Sequence, residues 1–176
     1  MFIASQPNAL WQFNMDFLDP QGAKVGSISW PDVAVATNAR MKGTYPDNWT
    51  KNVEIVSAGR PFKIAFEYLN RDWNMDMRFT LHDGDAAIAS VDCCHAKKRL
   101  HRASMHLTAP FSGDIVRRRG LFAIHYDILR EGQQIGHIYE KPVLQWRRKI
   151  FIDIDQSVDA PVQLFLFSLV YNYAFN

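Results

Sequence analysis

The chain has 176 residues, 48% of them apolar, with 20 Lys and Arg against 18 Asp and Glu. This composition excludes a disordered chain and supplies one domain with a core. A domain of this size buries roughly 70% of the surface its unfolded chain exposes and needs no disulfide or metal to fold. The net charge of +2 is too small to name a nucleic-acid or membrane partner by itself. Cys93 and Cys94 are the only cysteines and cannot form an ordinary structural bridge with each other, which fits a reducing compartment.

At the start of the chain, Met1-Phe2-Ile3-Ala4 lacks a basic flank and Gln6-Pro7-Asn8 interrupts it, so no signal peptide is expected. No myristoylation or prenylation motif is present, and no lipid anchor is expected. From about residue 10 to residue 155 the dominant pattern is period-two alternation broken by turn residues, which predicts many short antiparallel strands. Phe13, Met15 and Phe17 alternate up to the turn Asp19-Pro20-Gln21-Gly22, and Val25, Ile28 and Trp30 follow it. Phe62, Ile64, Phe66 and Tyr68 form the next alternating run, and Met75, Met77, Phe79 and Leu81 run up to Asp83-Gly84-Asp85. Weaker runs span 87–93, 104–109, 121–129, 134–140 and 143–155.

One hairpin sequence occurs twice. Gly22-Ala23-Lys24-Val25-Gly26-Ser27-Ile28 aligns with Gly132-Gln133-Gln134-Ile135-Gly136-His137-Ile138, each after an alternating aromatic strand and before Pro31 or Pro142. Two explanations stand: a sheet built of related units, or two hairpins solving one turn problem alike.

The last segment breaks the pattern. Asp159-Ala160-Pro161 offers an N-cap with Pro in the first turn, and the run to Phe175 carries only Gln163, Ser168 and Asn172 as polar residues. This predicts a helix over about 160–175. At 100° per residue those three side chains sit at roughly 0°, 140° and 180°, so the helix has no single wet face and must be buried on all sides. It rises only about 22 Å, short of the ~30 Å needed to cross a bilayer, so no transmembrane segment is expected. Many strands and one all-apolar helix have a common solution, a closed antiparallel barrel with the helix in its lumen.

At this point the sequence resembles a family, the superfamily that unites tubby C-terminal domains, plant LURP-one-related proteins and phospholipid scramblases. The resemblance rests on the strand Tyr126 to Arg130, the turn Glu131-Gly132, the strand Gly136-His137-Ile138, the stretch Arg147-Arg148-Lys149-Ile150-Phe151-Ile152-Asp153-Ile154-Asp155, and the apolar run Phe165 to Phe175. It implies a mostly β fold, a barrel of about twelve strands around a buried hydrophobic C-terminal helix, as one domain over residues 1–176. It also implies a non-enzymatic, cytoplasmic binding domain, peripheral to a membrane, with anionic phospholipid head groups or phosphoinositides as ligands. A protein-binding scaffold and an enzyme with its site at the barrel mouth are the alternatives. Scramblase-like chains carry an acidic segment before the helix that was proposed to hold calcium. Here it supplies Asp153, Asp155, Ser157 and Asp159, without the glycine or closing Glu of a calcium loop. The simpler expectation is that Asp153 and Asp155 form the wet face of a strand and Asp159 caps the helix.

The candidate ligand-binding residues are basic: Lys97, Lys98, Arg99 and Arg102, then Arg117, Arg118 and Arg119, with a further run at Arg147, Arg148 and Lys149. Gathered on one side of a barrel they suit phosphate, since Arg forks and Lys point charges both bind it. Nucleic acid is not expected, because the aromatic residues fall on core-facing positions and not among the basic runs. Cys93, Cys94 and His95 with His101 and His106 contain zinc-type ligands, but on a strand Cys94 points away from Cys93 and His95, so no metal is expected. His125, Tyr126 and Asp127 resemble a triad on paper, yet no nucleophile elbow accompanies them. No catalytic residue and no cofactor are expected, and Gly22, Gly26, Gly132 and Gly136 are explained by hairpins.

Overall fold

The computed structural model describes residues 1–5, 14–29, 53–70, 76–94, 104–118, 124–141 and 149–174. Within them lie twelve strands: β1 (Phe2–Ser5), β2 (Met15–Leu18), β3 (Lys24–Ser29), β4 (Val53–Ser57), β5 (Arg60–Tyr68), β6 (Met77–Asp83), β7 (Ala86–Cys94), β8 (Ser104–Ala109), β9 (Gly113–Arg117), β10 (His125–Arg130), β11 (Gln133–Glu140) and β12 (Lys149–Ile154). One helix follows, α1 (Ala160–Ala174). Every strand pairs antiparallel with its neighbours in chain order, and β1 pairs with both β2 and β12, so the sheet closes into a barrel without an edge. This is the architecture expected from the strand pattern and the apolar helix. No helix among the described residues is long and apolar enough to cross a membrane.

Three strands carry too little alternation to be predicted. β1 lies before residue 10, where strands were expected to begin, and has only four residues; β4 and β9 have five each. β1 is nonetheless the strand that closes the barrel, pairing Ala4 with Phe17 on one side and with Ile150 on the other.

Alternation sends one face of each strand inward. Met15 and Phe17, Val53 and Ile55, Phe79 and Leu81, Met105 and Leu107, and Ile150, Ile152 and Ile154 join a single core with α1. Every residue of α1 from Val162 to Tyr171 is buried, so the helix is covered on all sides. Each large side chain buried in this way contributes about 1.5–3 kcal/mol. Phe167 meets Phe17 edge-on with ring centroids 5.3 Å apart and stacks on Tyr171. The polar side chains of the buried helix bond locally: Gln163 Nε2 donates to the Val158 carbonyl and Ser168 Oγ to the Phe165 carbonyl, each at 2.7 Å.

The helix begins differently from expectation. Asp159 makes no side-chain cap among the described residues; its main-chain carbonyl accepts from Gln163 N at 3.0 Å. The turn into the helix is set earlier, where the Asp155 carboxylate accepts from Ser157 N at 2.7 Å. These bonds from Ser157 hold the Asp155 carboxyl below the usual range. Asp153 is exposed on β12, as the wet-face reading requires, while Asp155 lies just past the strand.

The hairpin that the sequence shows twice is present three times in the barrel. Between β2 and β3 the register passes from Phe17 opposite Gly26 to Leu18 opposite Lys24, leaving Val25 as an extra residue. Between β6 and β7 it passes from Leu81 opposite Ala89 to His82 opposite Ala87, leaving Ile88. Between β10 and β11 it passes from Ile128 opposite Gly136 to Leu129 opposite Gln134, leaving Ile135. Each extra residue is aliphatic, partly buried and packed on the core. These three bulges recur every four strands, while a further bulge, at Thr108 where the β7–β8 register passes from Ser90 opposite Ala109 to Val91 opposite Leu107, falls outside that spacing. In the two sequence-matched copies the inward position beside the bulge has no room for a side chain. A Cβ on Gly26 would stand 2.5 Å from the Val56 carbonyl oxygen and 3.2 Å from Leu164 Cδ1, and one on Gly136 would stand 2.6 Å from the Asp153 carbonyl oxygen.

Gly26→Ala and Gly136→Ala are therefore each expected to lower the unfolding free energy in urea by about 1–3 kcal/mol through overpacking. Leu166→Asp places an unpaired carboxylate inside the lumen at a cost of several kcal/mol, and the expected result is loss of the cooperative unfolding transition. A cooperatively folded Leu166→Asp variant is incompatible with the helix lying inside the barrel.

Candidate functional site

Because the strands alternate in direction, the barrel has two unlike ends. One end carries the short turns at 19–23, 58–59, 84–85, 110–112 and 131–132 and the start of α1. At the other, which we call the open end because the segments that join its strands lie outside the described residues, β1 and β2, β3 and β4, β5 and β6, β7 and β8, β9 and β10, and β11 and β12 present their joined ends. The basic runs lie in sequence between three of these pairs. Lys97, Lys98, Arg99 and Arg102 come between Cys94 and Ser104, whose strands pair at those two residues; Arg119 follows β9, and Arg147 and Arg148 precede β12. All seven of these residues lie outside the described residues.

Of the candidate ligand-binding residues, Arg117 and Arg118 are described, and β9 sends them to opposite faces. Ile115 and Arg117 face inward, whereas Val116 and Arg118 face outward. Arg118 is already neutralised on the outer wall: its Nε donates to Asp127 Oδ2 and its Nη2 to Gln134 Oε1 at 3.1 Å. Arg117 sits opposite Tyr126 in the ladder, with its guanidinium 5.8 Å from the ring centroid. Its Nη1 is buried and makes no hydrogen bond. Arg117 as a whole is half-buried, and the Tyr126 contact, worth about 0.5–2 kcal/mol, does not replace the hydrogen bond that the covered Nη1 lacks. Glu140 also occupies an inward-facing register position near this end, two strands away, and is itself engaged.

The pieces of the proposed triad separate in the same way. His125 and Asp127 share the outer face, with Nε2 3.8 Å from Oδ1, while Tyr126 points into the core. Asp127 is 8% exposed, and its Oδ1 is buried without a hydrogen bond. His137 stands opposite Asp127 on β11, and its ring lies against Tyr139, which stacks on Phe151. Sequence reasoning missed this outer cluster of Arg118, Asp127, Gln134 and His137, because it is drawn from three strands and no run of residues announces it.

Cys93 is fully buried in the core and Cys94 faces outward; His106 points outward as well and pairs with Asp114 at 2.6 Å. His95 and His101 lie outside the described residues. Among the described residues no three His, Cys, Asp or Glu side chains converge as a metal requires, the acidic segment of Asp153, Asp155 and Asp159 included. Burial, then the neighbouring Asp76 and Asp92 carboxylates, pushes the Cys94 thiol up.

Several basic residues of the wall are matched by acids. Lys24 pairs with Asp16, Arg60 with Asp83, and Arg78 with Asp92 through two bonds of 2.6 and 2.9 Å, with Glu67 at 3.8 Å on its other side. The paired hydrogen bonds to the Asp92 carboxylate hold the Arg78 pKa above its ordinary value. Comparison of the chain with models of known families, with curated proteins and with solved structures finds no match.

The two cysteines are expected to fall into separate reactivity classes. With a thiol-modifying reagent at neutral pH, Cys94 reacts slowly and accelerates as the pH rises through its elevated pKa; Cys93 reacts only when the barrel unfolds. Rapid labelling of Cys94 at neutral pH contradicts this electrostatic setting.

Proposed function

We propose that the protein is a non-enzymatic binding domain of the tubby, LURP-one and scramblase kind, which presents the open end of its barrel to anionic phospholipid surfaces from the cytoplasm. The observation that carries this reading is the partition of charge between the barrel and the segments that join its strands at the open end. Residues 6–13, 30–52, 71–75, 95–103, 119–123 and 142–148 contain 11 Lys and Arg against 3 Asp and Glu, a net +8. The remaining residues contain 9 against 15, a net −6, and the two parts together make the +2 of the whole chain. A chain that is nearly neutral overall thus divides its charge unevenly between its strands and the segments that connect them at one end, and charge asymmetry of this kind orients a protein at a charged surface. Each Lys or Arg near an anionic bilayer adds about 1 kcal/mol of attraction, which falls off within a Debye length.

A second feature at the same end supports a membrane as the surface. Tyr68 and Leu69, at the end of β5, are 39% and 42% exposed, a pair of adjacent large apolar residues at the rim. Tyrosine suits the headgroup level of a bilayer, with an apolar body and a polar tip. The closed barrel around a buried helix agrees with the architecture that the resemblance implies.

Co-sedimentation with vesicles checks the reading. The protein is expected to bind phosphatidylcholine vesicles that contain phosphatidylserine, to bind pure phosphatidylcholine weakly, and to lose binding as salt rises. Replacing Lys97, Lys98 and Arg99 with Gln is expected to weaken binding by on the order of 1 kcal/mol per lost charge with little change in Tm, since exposed charges contribute little to folding. Replacing Tyr68 and Leu69 with Ser is expected to weaken what binding remains at high salt. Failure of the wild-type protein to bind anionic vesicles at low salt, where exposed electrostatics are strongest, would falsify the membrane reading.

A further inference from the structure

Among the described basic residues near the open end, Arg117 is set apart by its surroundings. Arg118 spends its donors on Asp127 and Gln134, and the wall cations Lys24, Arg60 and Arg78 each have a carboxylate. Arg117 is turned inward on β9, next to the buried Tyr126, with one terminal nitrogen covered from water and bonded to nothing. A guanidinium nitrogen covered from water without a hydrogen-bond partner is unfavourable in the unliganded protein, and an anion that accepts from it removes that cost. A planar guanidinium backed by an aromatic face also presents its donor fork in a defined plane, the geometry that phosphate oxygens accept in pairs.

We infer that Arg117 is the residue that grips a phosphate group at the open end of the barrel, beside the Tyr126 ring. The inference rests on the proposed function for the source of that phosphate, a lipid headgroup. The recognised chemistry is shared with a soluble phosphate compound. Arg117 and Arg118, adjacent in sequence, then have separate roles: one binds the ligand and the other holds Asp127 on the outer wall.

The test uses the full chain. Thermal melts of the wild type and of Arg117→Met, which keeps an unbranched stem without the charge, are recorded in phosphate-free buffer. They are repeated with inorganic phosphate and with glycerophosphoserine. A ligand that binds only the folded state raises Tm in proportion to its affinity. The expected result is a rise in wild-type Tm with both compounds, an affinity weaker by about tenfold or more in Arg117→Met, and an unliganded Tm for the variant no lower than that of the wild type. A lower unliganded Tm with the ligand response intact makes Arg117 a prop for Tyr126 and overturns the inference; so does a wild-type protein that responds to neither compound. Should Arg117→Met fail to fold, the Nε–H resonance of Arg117 in the wild type, assigned with Arg117→Lys, must shift on titration with inorganic phosphate, and an unmoved resonance overturns the inference.

Vesicles of phosphatidylcholine and phosphatidylserine separate the sources. If vesicle binding is equal in wild type and Arg117→Met, the membrane reading survives and the role of Arg117 does not. If the soluble compounds bind through Arg117 while vesicles are ignored, Arg117 keeps its role, the ligand is a free phosphate compound, and the membrane reading falls.

Discussion

A helix with apolar side chains all the way round cannot rest on the surface of a sheet, because whichever side faces water leaves several large side chains exposed. In this chain the segment from Val162 to Tyr171 is buried without interruption, and that single requirement organises the remainder. Twelve strands surround it, their inward faces are mostly apolar, and the first strand must pair with both the second and the last so that no gap is left in the wall. Closure solves a second difficulty at the same time, since a sheet without edges offers no unpaired backbone to another chain.

The threefold recurrence of the bulged hairpin shows how the wall is shaped to its contents. An extra residue in one strand increases the local twist and bends the strand. Placed at Val25, Ile88 and Ile135, four strands apart, it does so near the end where the helix enters, and a further bulge stands at Thr108. The aliphatic side chains at those positions pack against the core. Gly26 shows the closeness of the fit, since a single methyl group there would strike both the neighbouring strand and Leu164 of the helix. The third copy has Ala89 where the other two have glycine, and its turn is built on Gly84-Asp85, so its likeness lies in register and not in residue identity.

On the wall, positive side chains are answered by negative ones across adjacent strands, as with Arg78 between Glu67 and Asp92. The excess of positive charge belongs to the segments that join the strands at the open end. The core and the paired wall hold the fold, and under the proposed function the charges that meet a ligand belong to the connecting segments. Arg117 is the point where the two meet, because it stands on a core-facing position and carries a charge.

Period-two alternation made most of the strands legible, and the absence of any polar face on the last segment made the buried helix legible, because both follow from which side chains tolerate water. β1, β4 and β9 were not legible: four or five residues hold too few alternations to stand out, and β1 is a strand only because β2 and β12 flank it. The spacing of Val25 and Ile28, odd for a strand, becomes intelligible once the bulge is seen, since the extra residue changes which side chains share a face. For the site, the sequence by itself determined the basic runs and their order along the chain. Only the tertiary structure decided that the strand ends flanking them lie at one end of the barrel, that Arg117 turns inward while Arg118 turns to Asp127, and that Tyr126 parts from His125 and Asp127. The reason is that local sequence sets which side chains alternate, whereas the number of strands, the closure of the barrel and the register across it decide which of those side chains meet.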